Sequence, residues 1–142
     1  MVSEVESLSS VPRDVYRSSL KCTPMQTLSP LQSQIAICEK FGVSPQTFMR
    51  HERIGLAIAT MSFFPINGLR IPALSGSTGW YIFGGVEQSD DPDFYSPLCI
   101  THLKTYCEIA IPYLCLPSGW RFQIDADGYE DVWYDESLVC NR

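Results

Sequence analysis

The sequence lacks an apolar run long enough to cross a membrane. A spanning helix requires roughly 18 or more consecutive apolar residues, and polar residues interrupt every hydrophobic stretch of this chain before that length. Residues 1–6 also lack the basic-then-apolar order of a secretion signal. We therefore expect a protein that stays in the cytoplasm and has no membrane partner.

Cys-x-x-Cys pairs are also absent, although the chain contains six cysteines. In a domain of this size without an export signal, cysteines usually remain reduced and pack as small hydrophobic residues. We therefore predict six free thiols. Cys99, His102, Cys107 and Cys115 suggest a metal site as an alternative, but zinc sites usually include a closely spaced cysteine pair.

The segment Asp125–Gly128 resembles part of a calcium-binding loop. When Gly128 is aligned with the glycine of an EF-hand loop, two strong ligand positions hold Gln123 and Tyr134 instead of carboxylates. The segment is therefore interpreted as a turn, and we predict no metal and no cofactor.

Basic residues are scarce in the second half of the chain. Residues 71–142 carry three basic and eleven acidic side chains, which leaves a net charge of −8, whereas residues 1–70 carry seven basic and five acidic ones. Such a field disfavours nucleic acid and anionic membrane as partners, and it favours fast association with a basic protein surface.

The length and composition indicate one domain. The chain has 142 residues, 45% of them hydrophobic, which is enough to bury a core without disulfides. Residues 1–28 contain many serines and no sustained apolar period, so we interpret them as an extended or partly mobile arm. We predict that residues 29–142 form a single α+β domain, with an antiparallel sheet that includes a C-terminal hairpin and with helices packed against one face.

Three segments start with Ser-Pro, a pair that suits the first residues of a helix. They predict a helix over 29–42, a short one within 44–55, and a third over 96–112 with one apolar stripe that includes Cys107. His51 lies among charged residues and is interpreted as a surface histidine.

The remaining elements are predicted strands and turns. The apolar run 54–64 favours a buried strand, and Trp80–Phe83 predicts another. Pro65–Gly68 has the composition of a turn between them.

The segment Gly119–Asp135 predicts a β-hairpin. Apolar and polar residues alternate before and after the Asp125–Gly128 turn. We expect Trp120 and Trp133 to be core or near-core residues, so that truncating either would cost stability before function.

Two acidic segments, 87–93 and 125–136, hold ten of the sixteen carboxylates. If the strand Trp80–Phe83 pairs near the hairpin, both segments lie at one end of the sheet and their fields add; the alternative is that these acids only keep the protein soluble. A tyrosine would supply a desolvated anchor for a basic partner. The candidate partner-binding residues are Glu87, Asp90, Asp91, Asp93, Tyr95, Asp125, Asp127, Glu130, Asp131, Tyr134 and Asp135.

Aromatic, proline and glycine positions in the second half carry a family resemblance. They lie in Gly79–Gly85, Asp90–Tyr95, Pro112–Leu114, Leu116–Phe122 and Gly128–Asp135. Over residues 69–138 the chain resembles the immunity-protein family numbered thirty-three, or a close relative, from bacterial polymorphic toxin and contact-dependent competition systems. The resemblance implies a cytoplasmic, non-enzymatic protein that neutralises a toxin or secretion-system effector by binding to it.

Two other classes of function stay open at this point. A small enzyme could use Cys99 and His102, which are three residues apart in the predicted third helix, or the carboxylate pair Glu130 and Asp131. Adjacent strand residues point to opposite faces, which argues against the carboxylate pair. A non-enzymatic adaptor without a toxin partner is the second alternative.

Overall fold

A computed structural model of the protein describes residues 30–140. Its helices and strands are α1 (Pro30–Lys40), β1 (Arg53–Leu56), β2 (Ile66–Arg70), β3 (Ser77–Gly84), β4 (Ser96–Cys99), α2 (Leu103–Tyr106), β5 (Trp120–Ile124) and β6 (Glu130–Tyr134). Short 3₁₀ helices lie at Ile58–Thr60, Ile100–His102, Glu108–Tyr113 and Glu136–Leu138. Across residues 30–140, no helix is both long and apolar enough to traverse a membrane. The arm predicted over 1–28 lies outside the described residues.

The six strands form one sheet in the order β4-β1-β3-β2-β5-β6. β1 and β3 run parallel, and the other neighbouring pairs are antiparallel. The predicted single α+β domain is confirmed, and the parallel pair makes the sheet mixed rather than wholly antiparallel. The parallel pair arises because the chain returns from β1 as β2, and β3 then inserts between these two strands.

One face of the sheet, here called the first face, carries the main core. Ile54, Ile66, Trp80 and Phe122 point to this face and belong to one buried cluster. α1 packs on the 3₁₀ helix Glu108–Tyr113, and both contribute buried residues to the same cluster. The helices therefore cover the first face, as predicted.

The opposite or second face has a smaller core. Ala57, Leu69, Phe83 and Leu138 form it, and Phe94 and Tyr95 pack against its edge. Its aromatic contacts include Tyr95 against Tyr81, with ring centroids 5.0 Å apart. The part of this face formed by β5 and β6 carries Arg121, Gln123, Asp131 and Trp133 instead of a hydrophobic cluster.

A buried arginine fastens the connecting segments to the first face. Arg70 is 1% exposed, and its Nη1 donates to the carbonyl oxygens of Gln46, Leu114 and Leu116 at 2.9, 3.1 and 2.9 Å. Its Nε donates to the carbonyl of Thr78 at 2.8 Å. Burial lowers the pKa of Arg70 to about 10, which still leaves the guanidinium charged at neutral pH.

Three predicted elements are confirmed. α1 ends at Lys40 and is followed by Gly42, whose φ of 73° gives the left-handed stop that the sequence indicated. The strand expected at Trp80–Phe83 lies within β3, and the predicted hairpin is formed by β5 and β6. Cys107 is buried, as its place on an apolar stripe predicted.

The helix predicted over 96–112 is wrong in its first part and interrupted in its second. Residues 96–99 form the edge strand β4, where Pro97 lies opposite Gly55 of β1. A proline without an N–H is tolerated on such an edge. The α-helical part is limited to α2, because Cys107 takes an extended φ of −158° that separates α2 from the following 3₁₀ helix.

The turn predicted at Pro65–Gly68 is wrong, because residues 66–70 form β2. Gly68 is required for close packing rather than for a turn: a β-carbon there would lie 2.2 Å from Cε2 of Phe122. The short helix predicted within 44–55 does not form, since residues 43–49 have no regular structure and β1 begins at Arg53. The strand predicted over 54–64 ends at Leu56.

The two hairpin tryptophans have different environments. Trp120 packs against the first-face cluster, as expected of a near-core residue. Trp133 lies on the second face opposite Arg121, is 36% exposed and belongs to neither hydrophobic cluster, so the prediction that it is a core or near-core residue is wrong. The alternation of the strand places Val132, and not Trp133, against the core.

Candidate partner-binding surface

The strand register places the two acidic segments at the same end of the sheet. Gly84 at the end of β3 pairs with Ile66 of β2, and Ile66 pairs with Ile124 at the end of β5. The loop that follows β3 and the turn that follows β5 therefore leave the sheet two strand spacings apart, roughly 10 Å. We call this end of the sheet, where β1, β3 and β5 finish, the acidic end.

The loop 85–95 carries the first group of carboxylates. Glu87, Asp90, Asp91 and Asp93 are all exposed. Asp91 Oδ1 accepts a hydrogen bond from the backbone N–H of Asp93 at 2.9 Å, which orders the centre of the loop. From β3 the loop crosses the end of β1 to reach the edge strand β4, so its later residues lie farther from the hairpin.

The hairpin turn carries the second group. Asp125 Oδ1 accepts hydrogen bonds from the backbone N–H groups of Asp127 and Tyr129, at 2.8 and 3.0 Å. Asp127 is exposed. Asp125 therefore shapes the turn, whereas the carboxylate of Asp127 is exposed to solvent.

A row of polar side chains joins the two groups along the second face. Asn67 Nδ2 donates to the carbonyl of Gly85 at 2.7 Å, and Gln123 Nε2 donates to Asn67 Oδ1 at 2.8 Å. Tyr129 then donates its hydroxyl to Gln123 Oε1 at 3.2 Å. The base of the acidic loop is thus connected to the hairpin turn by side-chain hydrogen bonds.

Glu130 is engaged inside the protein. It forms an ion pair with Lys40 of α1 and accepts a hydrogen bond from the hydroxyl of Tyr113. Burial alone would raise the pKa of Glu130, but these two partners outweigh it and hold the pKa below the usual value. Burial, followed by the bond to Glu130, raises the pKa of Tyr113. Glu130 therefore ties α1 to the hairpin.

Tyr134 and Asp135 lie at the other end of the hairpin. Asp135 accepts hydrogen bonds from the Ser137 N–H and hydroxyl, and it pairs with Arg121 at 3.0 Å. The contacts with Ser137, and then with Arg121, lower the pKa of Asp135. Tyr134 is half exposed and packs edge-on against Trp120.

The last two candidates lie on the second face. Asp131 is exposed and pairs with Gln123 near the turn. Tyr95 is largely enclosed by the smaller core, and its hydroxyl has no hydrogen-bond partner among the described residues. Burial raises the pKa of Tyr95 to about 12. The structure thus places Glu87, Asp90, Asp91, Asp93, Asp125 and Asp127 at the same end of the sheet. Glu130 and Asp131 follow the turn at that end, Tyr95 is the last residue of the acidic loop, and Tyr134 and Asp135 lie at the opposite end.

The residues considered for catalysis are not arranged as a reactive pair. The Cys99 thiol contacts the Arg50 carbonyl at 3.1 Å and the Thr101 hydroxyl at 3.2 Å, and the latter contact lowers the pKa of Cys99. Glu130 and Asp131 point to opposite faces, as predicted for neighbours in a strand.

The described cysteines and carboxylates do not assemble into a metal site. Cys38, Cys99, Cys107, Cys115 and Cys140 are free of disulfides, while Cys22 lies outside the described residues. Within residues 30–140, no group of three or more His, Cys, Asp or Glu side chains is arranged to hold a metal ion.

Sequence reasoning missed the apolar residues of the acidic end. The buried strand predicted over 54–64 includes Phe63 and Phe64, but these residues lie in the connection between β1 and β2 and are exposed. The only local signal for this exposure is the Pro65 that follows them, which shows where an apolar run leaves regular structure.

Comparison with known families gives one match. A family model described as the Imm33-like domain matches residues 33–135. The match includes most of the segment 69–138 that carries the resemblance, and it continues towards the N-terminus through β1, β2 and most of α1. No curated protein and no solved structure matches the chain.

Proposed function

Because the chain belongs to the Imm33-like domain family, we propose that it is an immunity protein, which neutralises a bacterial toxin or secretion-system effector by binding to it through the acidic end. In this proposal the protein acts by occupying a functional surface of the toxin in the cytoplasm and catalyses no reaction. The partner is a protein with a basic surface around its active cleft.

One observation carries the choice of surface: six carboxylates lie at the acidic end of the sheet with little compensating positive charge. They belong to the loop 85–95 and the turn 125–128, and the segments 57–66, 84–95 and 124–129 that form this end contain no Lys, Arg or His. Lys40 approaches from α1, where it pairs with Glu130. A negative field with so little compensation attracts a basic protein and accelerates its docking.

The other end of the sheet carries charges of both signs, because Glu52 precedes β1 and Asp135 and Glu136 follow β6 there. Arg50, His51 and Arg53 cluster where β1 begins, and Cys99 at the end of β4 lies beside them. The uncompensated negative charge of the sheet therefore lies mainly at the acidic end. A basic toxin is oriented by this field so that it meets the acidic end first.

The test begins with co-expression of this chain and the toxin encoded beside it. The proposal expects growth to be rescued and a complex to form between the purified proteins. The reversals Asp90→Lys and Asp91→Lys should together slow association at low salt by about tenfold and flatten its salt dependence. The double variant Glu52→Lys and Glu136→Lys makes the same charge change at the opposite end of the sheet, before β1 and after β6, and it should associate nearly as fast as the parent.

Two results would contradict different parts of the proposal. A wild-type chain that neither rescues growth nor binds the toxin would remove the immunity function. Rescue with equal association rates for both double variants would retain the function and exclude the acidic end as the docking surface.

A further inference from the structure

Large apolar side chains are exposed at the acidic end, in the midst of its carboxylates. Phe63 is 57% exposed, Phe64 50% and Val86 85%, and Ile58 in the same connection is also exposed. We call these four residues the apolar cap. Scattered exposed hydrophobic residues are normal in proteins, but a group in two adjacent segments with a polar rim is typical of an interaction site.

The two segments of the apolar cap are fastened to each other. The backbone N–H of Gly85 donates to the carbonyl of Pro65 at 2.9 Å, and a β-carbon placed on Gly85 would lie 3.7 Å from that of Phe63. The N–H of Gly84 donates to Thr60 Oγ1 at 2.8 Å. The connection 57–65 is therefore held across the end of β3, which places Phe63 and Phe64 beside Val86 in a defined position.

Carboxylates lie on two sides of this cap. Glu87 follows Val86 directly and begins the acidic loop on one side. On the other side, the row of Asn67 and Gln123 leads from Gly85 to the turn that holds Asp125 and Asp127. An apolar centre within a charged rim is the arrangement in which anchoring side chains are desolvated while the rim guides association.

We infer that the apolar cap is the anchor of the toxin interface, an inference that rests on the proposed function. The matching partner surface is a basic one with an apolar depression that receives Phe63 and Val86. A second copy of this chain is a poor occupant, because a symmetric dimer through this end would bring two acidic rims against each other. The carboxylates then determine how fast the toxin arrives, and the apolar cap determines how long it stays.

The experiment compares dissociation rates of the toxin that the wild-type chain neutralises. Phe63→Ser and Val86→Ser, each alone, should accelerate dissociation, and a residue that acts as an anchor should do so by about thirtyfold or more. Association should change little, in contrast to the charge reversals. Leu74→Ser and Met49→Ser are matched controls, since these side chains are 79% and 60% exposed at the opposite end of the sheet; they should leave both rates unchanged.

The variants are chosen so that folding and binding are separated. Val86 projects into solvent, so Val86→Ser should keep the melting temperature of the parent, and Phe63→Leu should restore much of the binding that Phe63→Ser loses. If the wild type rescues growth but both serine variants dissociate like the controls, the inference is overturned while the proposed function stands. The inference is also overturned if the chain alone forms a dimer that Val86→Ser dissolves without any effect on the toxin.

Discussion

The two faces of the sheet are built for different purposes. On the first face, a large hydrophobic cluster lies under α1 and the helices around residues 100–113. The buried Arg70 holds the segment after these helices by donating a hydrogen bond to the Leu116 carbonyl. The second face has only a small cluster and leaves Asp131 and Trp133 exposed beside the polar row of Asn67 and Gln123. Most of the stabilising hydrophobic contacts therefore lie on the first face. Substitutions on the second face and at the acidic end can test binding without unfolding the protein.

The largest effect is expected from Trp80 on the first face. Trp80 is fully buried, contacts Phe122 with ring centroids 5.4 Å apart, and donates its indole N–H to the Leu114 carbonyl at 2.8 Å. Trp80→Ala should lower the free energy of unfolding by about 3–5 kcal/mol, measured by urea denaturation. A cost below about 1 kcal/mol would show that the first face is not the main core.

Arg70→Met should come next, with a cost of about 3 kcal/mol. The variant removes one donor from each of four carbonyl oxygens, although that of Leu114 keeps the indole N–H of Trp80, and unsatisfied carbonyls are costly in an enclosed site. Arg53→Met is the control, because Arg53 is exposed and should change the unfolding free energy by less than about 0.5 kcal/mol. Equal effects of the two substitutions would refute the fastening role of Arg70.

Trp133→Ala tests the second face and should cost only about 1–2 kcal/mol. Trp133 is already 36% exposed in the folded protein, so its truncation removes less buried apolar area. Its main specific contact is the Arg121 guanidinium, 5.7 Å from the ring. A cost as large as that of Trp80→Ala would make the two faces equivalent in stability. The measurement is again urea denaturation, with both variants compared at the same pH.

Local signals in the sequence were sufficient for some elements and not for others. The Ser-Pro start and Gly42 stop of α1, and the alternation around the Asp125–Gly128 turn, act between near neighbours, so they could be predicted. The turn predicted at Pro65–Gly68 is wrong because Gly68 serves packing and not a turn. The Phe122 ring, which is distant in sequence, packs against Gly68 in the sheet and leaves no room for a β-carbon.

The same limit applies to the candidate surface. The acidic segments are visible in the sequence, and their place at one end follows once β3 and β5 are known to flank β2. The exposure of Phe63 and Phe64 could not be predicted, because the composition of an apolar run does not indicate which of its residues are covered by distant parts of the chain. Arg70 was missed for a similar reason: its acceptors at Gln46 and Leu116 are 24 and 46 residues away.

The pH dependence of the unfolding free energy tests the contact of Glu130 with Lys40 and Tyr113, which links the hairpin to α1 on the first face. Since the folded-state pKa of Glu130 lies below its ordinary value, its stabilisation is complete above the ordinary value of 4.5 and is lost as the pH falls through the lowered folded-state value. Glu130→Gln should therefore be less stable than the parent at pH 7, by at most about 1 kcal/mol. The difference should shrink towards zero in acid, and a difference that grows as the pH falls would contradict this assignment.

The smallest effects on the unfolding free energy are expected from removing two tyrosine hydroxyls. Removal should destabilise the protein at Tyr113 and should not destabilise it at Tyr95. Tyr113 on the first face donates to Glu130, whereas the enclosed hydroxyl of Tyr95 on the second face has no partner among the described residues. Tyr113→Phe should cost about 1 kcal/mol because it removes a hydrogen bond to a charged acceptor. Tyr95→Phe should leave the unfolding free energy unchanged or raise it by up to about 1 kcal/mol, because it removes a desolvated hydroxyl that forms no hydrogen bond with the described residues.

Both variants keep the ring, so their contrast isolates the hydroxyl. If Tyr95→Phe costs as much as Tyr113→Phe, the second face holds its tyrosine as specifically as the first face does, and the difference between the two faces is one of size alone.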